Sequence, residues 1–274
     1  MSVWRATHHM LCRLRHKKDR SGKSDFLTGL HEKNNNKRKN HEHIITQKEE
    51  KSMQHRDFII KSIENMSGRH SPYEVFADWV KMSAISLQNA CMMIHDKVWK
   101  DREQQYMLTQ KKYTKDEMMT FSSMLAAVTL TFDEKFDDAL GDVYMKSGCG
   151  NKGTGQFFTP YHVSYATAAA GYTNDIKKLS QDNVIEVAEP SCGAGGMIIA
   201  IAQLMKDNGL NPQRNMHVTA QDLDWTAVYM TYVQLSLLGI RAIVVQGDSL
   251  AEPYKPGYPK ERVWRTPAEM GALL

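Results

Sequence analysis

Hydrophobic and polar positions change their period twice along this chain. Residues 1 to 52, with NNNKRKNHEH at their centre, show no sustained period and read as disordered or only locally helical. From Asp57 to Lys146 apolar residues recur every three or four positions, as on one face of a helix. Val75, Phe76, Trp79, Val80, Met82, Ile85 and Leu87 follow a helix start at Ser71-Pro72-Tyr73-Glu74, where proline takes the first helical position. Met118, Phe121, Met124, Leu125 and Val128 follow Thr114, and Glu117 completes a capping box with that threonine. This region predicts helices that meet along a seam of methionines and aromatics.

After the glycine-rich stretch 148–155 the period changes again. Short β-branched runs at Val184 to Val187, Met216 to Gln221 and Arg241 to Gln246 predict buried parallel strands. Helical segments at His162 to Gly171, Met197 to Met205 and Trp225 to Leu238 alternate with them. Strand, helix, strand, helix, strand predicts a doubly wound α/β unit with a ligand crevice at the carboxyl ends of its strands. The expected divisions are a basic tail over 1–56, a helical domain over 57–147, an α/β ligand-binding domain over 148–252, and a C-terminal tail over 253–274 packed on the domain or on a partner. Met53 offers a second start that would leave out most of the basic tail.

Composition narrows the class. The 274 residues suffice for one large domain or two modest ones. Cys12, Cys91, Cys149 and Cys192 lack C-x-x-C spacing, so neither a disulfide framework nor a zinc knuckle is expected, and a reducing cytoplasm fits. His41-Glu42-His43 matches no standard metal spacing, and no metal site is expected. No apolar run is long enough to span a bilayer, and the N-terminus lacks a signal-peptide core. The net charge of +4 is uneven, since residues 1–56 carry 14 Lys/Arg against 6 Asp/Glu while the remainder is mildly acidic. Such a tail is either solvated or a nucleic-acid contact made through counterion release.

The chemistry gathers at VIEVAEPSCGAGG, residues 184–196. Its strand ends in Glu189-Pro190, and Gly193, Gly195 and Gly196 let the backbone turn sharply with no side chain between the amides and a ligand. Asp222 closes the second strand, where an acid accepts hydrogen bonds from ribose hydroxyls, and Asp248 closes the third, where an acid can accept from an exocyclic amine. Strand-end aspartates also serve as caps and turn formers, but three acids at one edge beside a glycine turn favour a ligand site. G-A-G-G lacks the G-x-G-x-x-G spacing, and Glu189 would oppose a pyrophosphate. A cationic ligand tolerates that acid, and S-adenosylmethionine, with its sulfonium, ammonium, ribose and adenine, suits the mixture.

GQFFTP at 155–160, EPSCGAGGM at 189–197, AQDLD at 220–224 and GDSL at 247–250 resemble, in order, four cofactor-side motifs of the N6-adenine DNA methyltransferases. Within that family the likeness is to the modification subunits of type I restriction-modification systems, and it covers roughly residues 57 to 250. The resemblance implies a truncated Rossmann-like class I S-adenosylmethionine-dependent methyltransferase domain preceded by an α-helical domain. It implies that Phe157, Phe158, Thr159 and Pro160 contact the methionine part of the cofactor. Glu189 and the amides near Gly193 and Gly195 would hold the amino-acid end, Asp222 the ribose and Asp248 the adenine amine. Pro190, Ser191, Cys192, Leu223, Ser249 and Leu250 complete these cofactor motifs. Cys192 is a small residue within its motif, since the chemistry needs no covalent thiol.

One part of the family pattern is missing. The Asn/Asp-Pro-Pro-Phe/Tyr motif after a fourth strand, which accepts the target amine and stacks a flipped base, has no counterpart in this sequence. Ala251-Glu252-Pro253-Tyr254 is a faint echo with alanine in place of the acceptor, so the catalytic residues are unknown from the sequence. In the family the first strand is central, so without a fourth strand one of its edges would expose unpaired backbone groups. The tail from Pro253, a second copy of the chain or a complementary methylase or specificity subunit would cover it. The proline-punctuated tail is expected to lie across the surface, anchored by Trp264, rather than to form a strand. Two main readings follow: an adenine-N6 DNA methyltransferase, active alone or with a partner, and a catalytically inactive cofactor-binding accessory protein of a DNA-modification system. A third is a nucleic-acid-binding module working through its basic tail.

Overall fold

The computed structural model describes residues 49–149 and 158–272. Residues 1–48, the His41-Glu42-His43 cluster, most of the glycine-rich stretch and Phe157 lie outside the described residues. A first helix, α1 (49–66), starts earlier than the expected 57, and Arg56 on it forms ion pairs with Asp137 and Asp142. It is followed by α2 (Pro72–Cys91), α3 (Lys97–Gln110), α4 (Lys115–Glu134), α5 (Ala139–Lys146) and α6 (Tyr161–Ile176). The helix starts follow local chemistry. The Ser71 side chain accepts the Glu74 amide at the head of α2, and Thr114 and Glu117 form a reciprocal capping box at the head of α4. Every apolar position of the two seams is buried, and the Trp79 indole donates to the Phe121 carbonyl at 3.1 Å, tying α2 to α4.

The sheet begins with β1 (Ile185–Glu189), followed by α7 (Gly196–Asp207), the short α8 (Pro212–Asn215), β2 (Met216–Asp222), α9 (Trp225–Leu238) and β3 (Arg241–Gln246). A 3-10 turn (Lys260–Arg262) then leads into β4 (Val263–Arg265). The strand order is β1-β2-β3-β4, with the first three parallel and β4 antiparallel to β3. This β-α-β-α-β arrangement makes the chain an α/β protein with a Rossmann-like unit. Met216, Val218 and Ala220 of β2 share one sheet face with Ala242 and Val244 of β3, and all five are buried. The helix α9 is buried nearly all round, because it packs on β2 and β3 and also against α2 and α5. One continuous apolar core therefore runs from α1 and α2 through α9 to the sheet.

The C-terminal segment departs from expectation. It does not merely cross the surface: Val263–Arg265 form a true edge strand paired with β3. The prolines at 259 and 267 bracket this strand instead of interrupting it, so no ladder hydrogen bond is lost. Trp264 is the expected anchor and is 2% exposed. It packs against Tyr229 and Tyr232, with the Arg102 guanidinium 3.9 Å over its ring. Arg102 also donates to the Val263 carbonyl at 3.0 Å, and Gln88 accepts the Arg265 amide at 3.1 Å, so α2 and α3 both grip the strand. This places the tail on the β3 edge. Among the described residues, β1 pairs only with β2, and its outer edge is open.

Candidate functional site

Strand β1 ends at Glu189, and the chain then turns through Pro190 to Gly195 into α7. The Gly195 amide donates to the Cys192 carbonyl at 2.7 Å, and the Cys192 amide donates to the Gln221 carbonyl at 3.0 Å, so the turn is fixed to the end of β2. Gly193 (φ 53°) and Gly195 (φ 93°) have left-handed backbones that other residues adopt only at a cost. Space imposes the same choice. A Cβ on Gly193 would stand 2.8 Å from the Phe158 ring, one on Gly195 3.2 Å from the Thr231 hydroxyl, and one on Gly196 3.0 Å from the Asp138 carboxylate.

Three of the four motifs meet at this turn. Phe158 lies over Gly193 and against Tyr144 of α5, with ring centroids 5.1 Å apart. The Gly193 amide donates to the Asp222 carboxylate at 2.8 Å, and the other Asp222 oxygen accepts the Asp224 amide at 3.0 Å. Glu189 accepts the Ser191 amide at 3.1 Å. Partial burial pushes the Glu189 carboxyl up; the Ser191 hydrogen bond opposes this, and the nearby Asp222 charge adds to it. Two carboxylates that feel each other beside a glycine turn suit a cation better than a phosphate.

The fourth motif joins through the backbone. The Gly247 amide donates to the Asp222 carbonyl at 2.9 Å, which sets the end of β3 beside the end of β2. One Asp248 oxygen accepts the amides of Leu250 and Ala251 at 2.9 and 3.1 Å, so this acid shapes its own turn while remaining exposed. Leu223 and Leu250 follow the two acids and are 68% and 94% exposed, leaving two apolar surfaces at the same edge. Ser249 is half-buried, whereas Thr159, Pro160, Pro190 and Ser191 are exposed. Pro160 caps α6, and no hydrogen bond is present from Thr159 among the described residues. Cys192 is buried against Thr231, and desolvation pushes its thiol well above the ordinary range, so it is no nucleophile.

Sequence reasoning missed the residues that hold the turn from below. The Thr231 hydroxyl donates to the Gly193 carbonyl at 2.9 Å. The Gln234 side chain donates to the Ala194 carbonyl at 2.7 Å and to Asp138 at 2.8 Å, and it accepts the Leu140 amide at 3.1 Å. The available signal was the presence of Thr231 and Gln234 among the few polar residues of a largely apolar helix, where most fully buried polar side chains find partners.

Two further placements bear on the site. The echo Ala251 to Tyr254 folds onto Gln221, whose side chain donates to the Glu252 carbonyl at 2.9 Å and accepts the Tyr254 amide at 3.0 Å. A hollow of about 570 Å³ between α2, α3 and α9, lined by Lys81, Arg102, Trp225 and Tyr229 among others, contains none of the motif residues.

The family model described as N-6 DNA Methylase matches residues 135–264. No curated protein matches the chain. Among solved structures, one similar chain is a protein from Listeria monocytogenes described as a class I S-adenosylmethionine-dependent methyltransferase, with 12% identity, a TM-score of 0.42, and coverage of 74% of this chain and 55% of that one. Another is the type I restriction-modification system methyltransferase subunit from Streptococcus thermophilus, with 13% identity, a TM-score of 0.38, and coverage of 94% of this chain and 60% of that one. This chain thus spans less than two thirds of the length of either structure.

Proposed function

We propose, from the match of residues 135–264 to the N-6 DNA methylase family model, that the chain binds S-adenosylmethionine at the carboxyl edge of its sheet and serves methyl transfer to the N6 amine of adenine in DNA. The observation that carries this reading is Gly193, which lies under Phe158 and donates its amide to Asp222, so that three separate motifs converge on one turn.

The donor set fits the cofactor. Glu189 and the first-turn amides of α7 offer an acceptor and donors for an amino-acid group, as the unpaired amides of a helix start commonly do. Asp222 retains lone pairs for ribose hydroxyls, and the exposed Leu223 and Leu250 offer apolar faces for a purine, with Asp248 as acceptor for its amine. The bound cofactor supplies a methyl group on a sulfonium. This chain's part is to hold and orient it, since alignment of the reacting groups lowers the barrier without a covalent enzyme intermediate.

The open edge of β1 supports a partner. Its outer backbone groups pair with nothing among the described residues, and Val184, Val163 and Tyr172 are exposed on β1's approach and on α6. A second copy of the chain or a complementary methylase or specificity subunit would close that edge with a strand, and a complementary methylase subunit would also bring the acceptor for the target amine. Such a protein would work in the cytoplasm, where the DNA is; no helix among the described residues is long and apolar enough to cross a membrane.

A second reading, an inactive cofactor-binding accessory protein, is favoured by the placement of the Ala251 to Tyr254 echo, whose Glu252 carbonyl and Tyr254 amide are bound to Gln221, so that this segment braces the end of β2 and does not serve as an amine acceptor. Transfer of a labelled methyl group from S-adenosylmethionine to adenine-containing DNA, with and without candidate partner subunits, separates the two. Label in N6-methyladenine supports the first reading. Cofactor binding with no transfer in any combination supports the second.

A further inference from the structure

The glycine turn is held only in part by its own segment, through the bond from the Gly195 amide to the Cys192 carbonyl. Its two central carbonyls are each taken by a side chain of α9: Thr231 donates to Gly193 at 2.9 Å and Gln234 to Ala194 at 2.7 Å. Both side chains are fully buried, so neither bond competes with water. In a trans peptide the N–H points opposite to its C=O. Fixing the Gly193 carbonyl toward α9 therefore aims the Ala194 amide away from it. Among the described residues that amide meets no acceptor, although Ala194 is only 2% exposed. A buried amide without an acceptor is a costly feature that a bound acceptor group would satisfy.

Gln234 extends the arrangement outward. Its amide nitrogen also donates to Asp138, and its oxygen accepts the Leu140 amide, so one side chain satisfies partners on the turn and at the head of α5. Asp138 in turn caps α5 through the Gly141 amide at 2.9 Å and packs against Gly196 at the start of α7. The side chain that fixes the turn is thus fixed by the helices that precede the sheet.

We propose that Thr231 and Gln234, with Asp138 behind them, are positioning residues that aim the Ala194 amide at the carboxylate of the bound cofactor, and so tie its amino-acid end to the position of α5. This rests on the cofactor reading above, and what it adds is the set of residues that hold the turn in place. The turn and its supports set affinity for the amino-acid end, while the acids of β2 and β3 set affinity for the nucleoside.

The test uses the full chain and two probes, S-adenosylmethionine and 5′-methylthioadenosine, which lacks the amino-acid end. Calorimetry is run on wild type, Thr231→Val, Thr231→Ser, Gln234→Leu and Asp138→Asn. Thr231→Val and Gln234→Leu each remove one bond to a turn carbonyl, Gln234→Leu together with its bonds to Asp138 and Leu140; each should weaken S-adenosylmethionine roughly 10-fold, the equivalent of about 1.4 kcal/mol, and leave 5′-methylthioadenosine within about 2-fold. Thr231→Ser and Asp138→Asn keep the hydroxyl donor and the Oδ1 acceptor, and should bind both probes within about 3-fold of wild type. Equal losses for both probes, or Thr231→Ser behaving like Thr231→Val, would mean a purely structural role and overturn the proposal. Unchanged binding in Thr231→Val and Gln234→Leu would overturn it too. A wild-type protein that binds neither probe would instead remove the cofactor reading, and this inference with it.

Discussion

Replacing Trp264 by alanine tests whether the C-terminal strand is part of the fold. Trp264 is 2% exposed, touches Tyr229 and Tyr232 with ring centroids 5.3 Å away in each case, and sits opposite Val244 in the sheet register. Truncating a buried aromatic to alanine costs about 3–5 kcal/mol. The Arg102 guanidinium 3.9 Å above the ring loses a partner worth about 1 kcal/mol, while its bond to the Val263 carbonyl survives. The expected loss is therefore about 4–6 kcal/mol, a large share of the ~5–15 kcal/mol that stabilises a typical domain. With a urea dependence of about 2.5 kcal/mol per molar, the unfolding midpoint should fall by about 1.5–2.5 M, followed by far-ultraviolet circular dichroism because the substitution removes a fluorophore. Trp264→Phe keeps a ring beneath the guanidinium and should lose about half as much. A loss below about 1 kcal/mol for Trp264→Ala would mean that the segment rests loosely on the surface and that β4 is no structural strand.

Gly195→Ala should destabilise by about 1–2 kcal/mol, from the left-handed backbone and the close Thr231 hydroxyl, and should weaken S-adenosylmethionine binding, as read by calorimetry. Burial pushes the Asp138 carboxyl up to about 6, against the modest pull of the Gln234 and Gly141 hydrogen bonds. The folded state then holds a proton that the unfolded state releases between pH about 4 and 6, so stability is greatest below that window and falls as pH rises through it, by up to ~3 kcal/mol. Urea titrations at pH 4.5 and 7 should show Asp138→Asn lacking this slope relative to wild type, with Asp137 and Arg56 the charged neighbours common to both. Glu189→Gln keeps the shape of the turn and removes a negative charge, so it should weaken the cationic S-adenosylmethionine more than the uncharged 5′-methylthioadenosine.

Where one residue's chemistry decides a local outcome, the sequence was readable. Ser71 and Thr114 cap the helices their spacing predicts, and the β-branched run 241–246 coincides with β3. The turn between β1 and α7 was legible because Gly193 and Gly195, which take left-handed backbones, stand between a β-branched run and an apolar helix. Helix α3 was not, since its only buried side chains are Arg102 and Thr109 and it shows no apolar stripe to read. Its buried Arg102 lies over Trp264, 162 residues further along the chain, a contact that no local pattern encodes. Strand β4 was hidden for a different reason: the prolines at 259 and 267 argue against a strand, yet they flank its three residues and do not interrupt them. Asp138 escaped notice for a related reason: its partners Gln234 and Gly196 come from two other helices, and only the folded chain brings them together.

The most direct measurement is calorimetric titration of the wild-type chain and Asp222→Ala with S-adenosylmethionine, with unfolding curves to confirm that both are folded. One cofactor per chain, with affinity at least 10-fold weaker in Asp222→Ala, is the result predicted by a single site formed where Glu189, Gly193 and Asp222 meet. No heat from the wild type, or equal affinity in the two folded proteins, would contradict it.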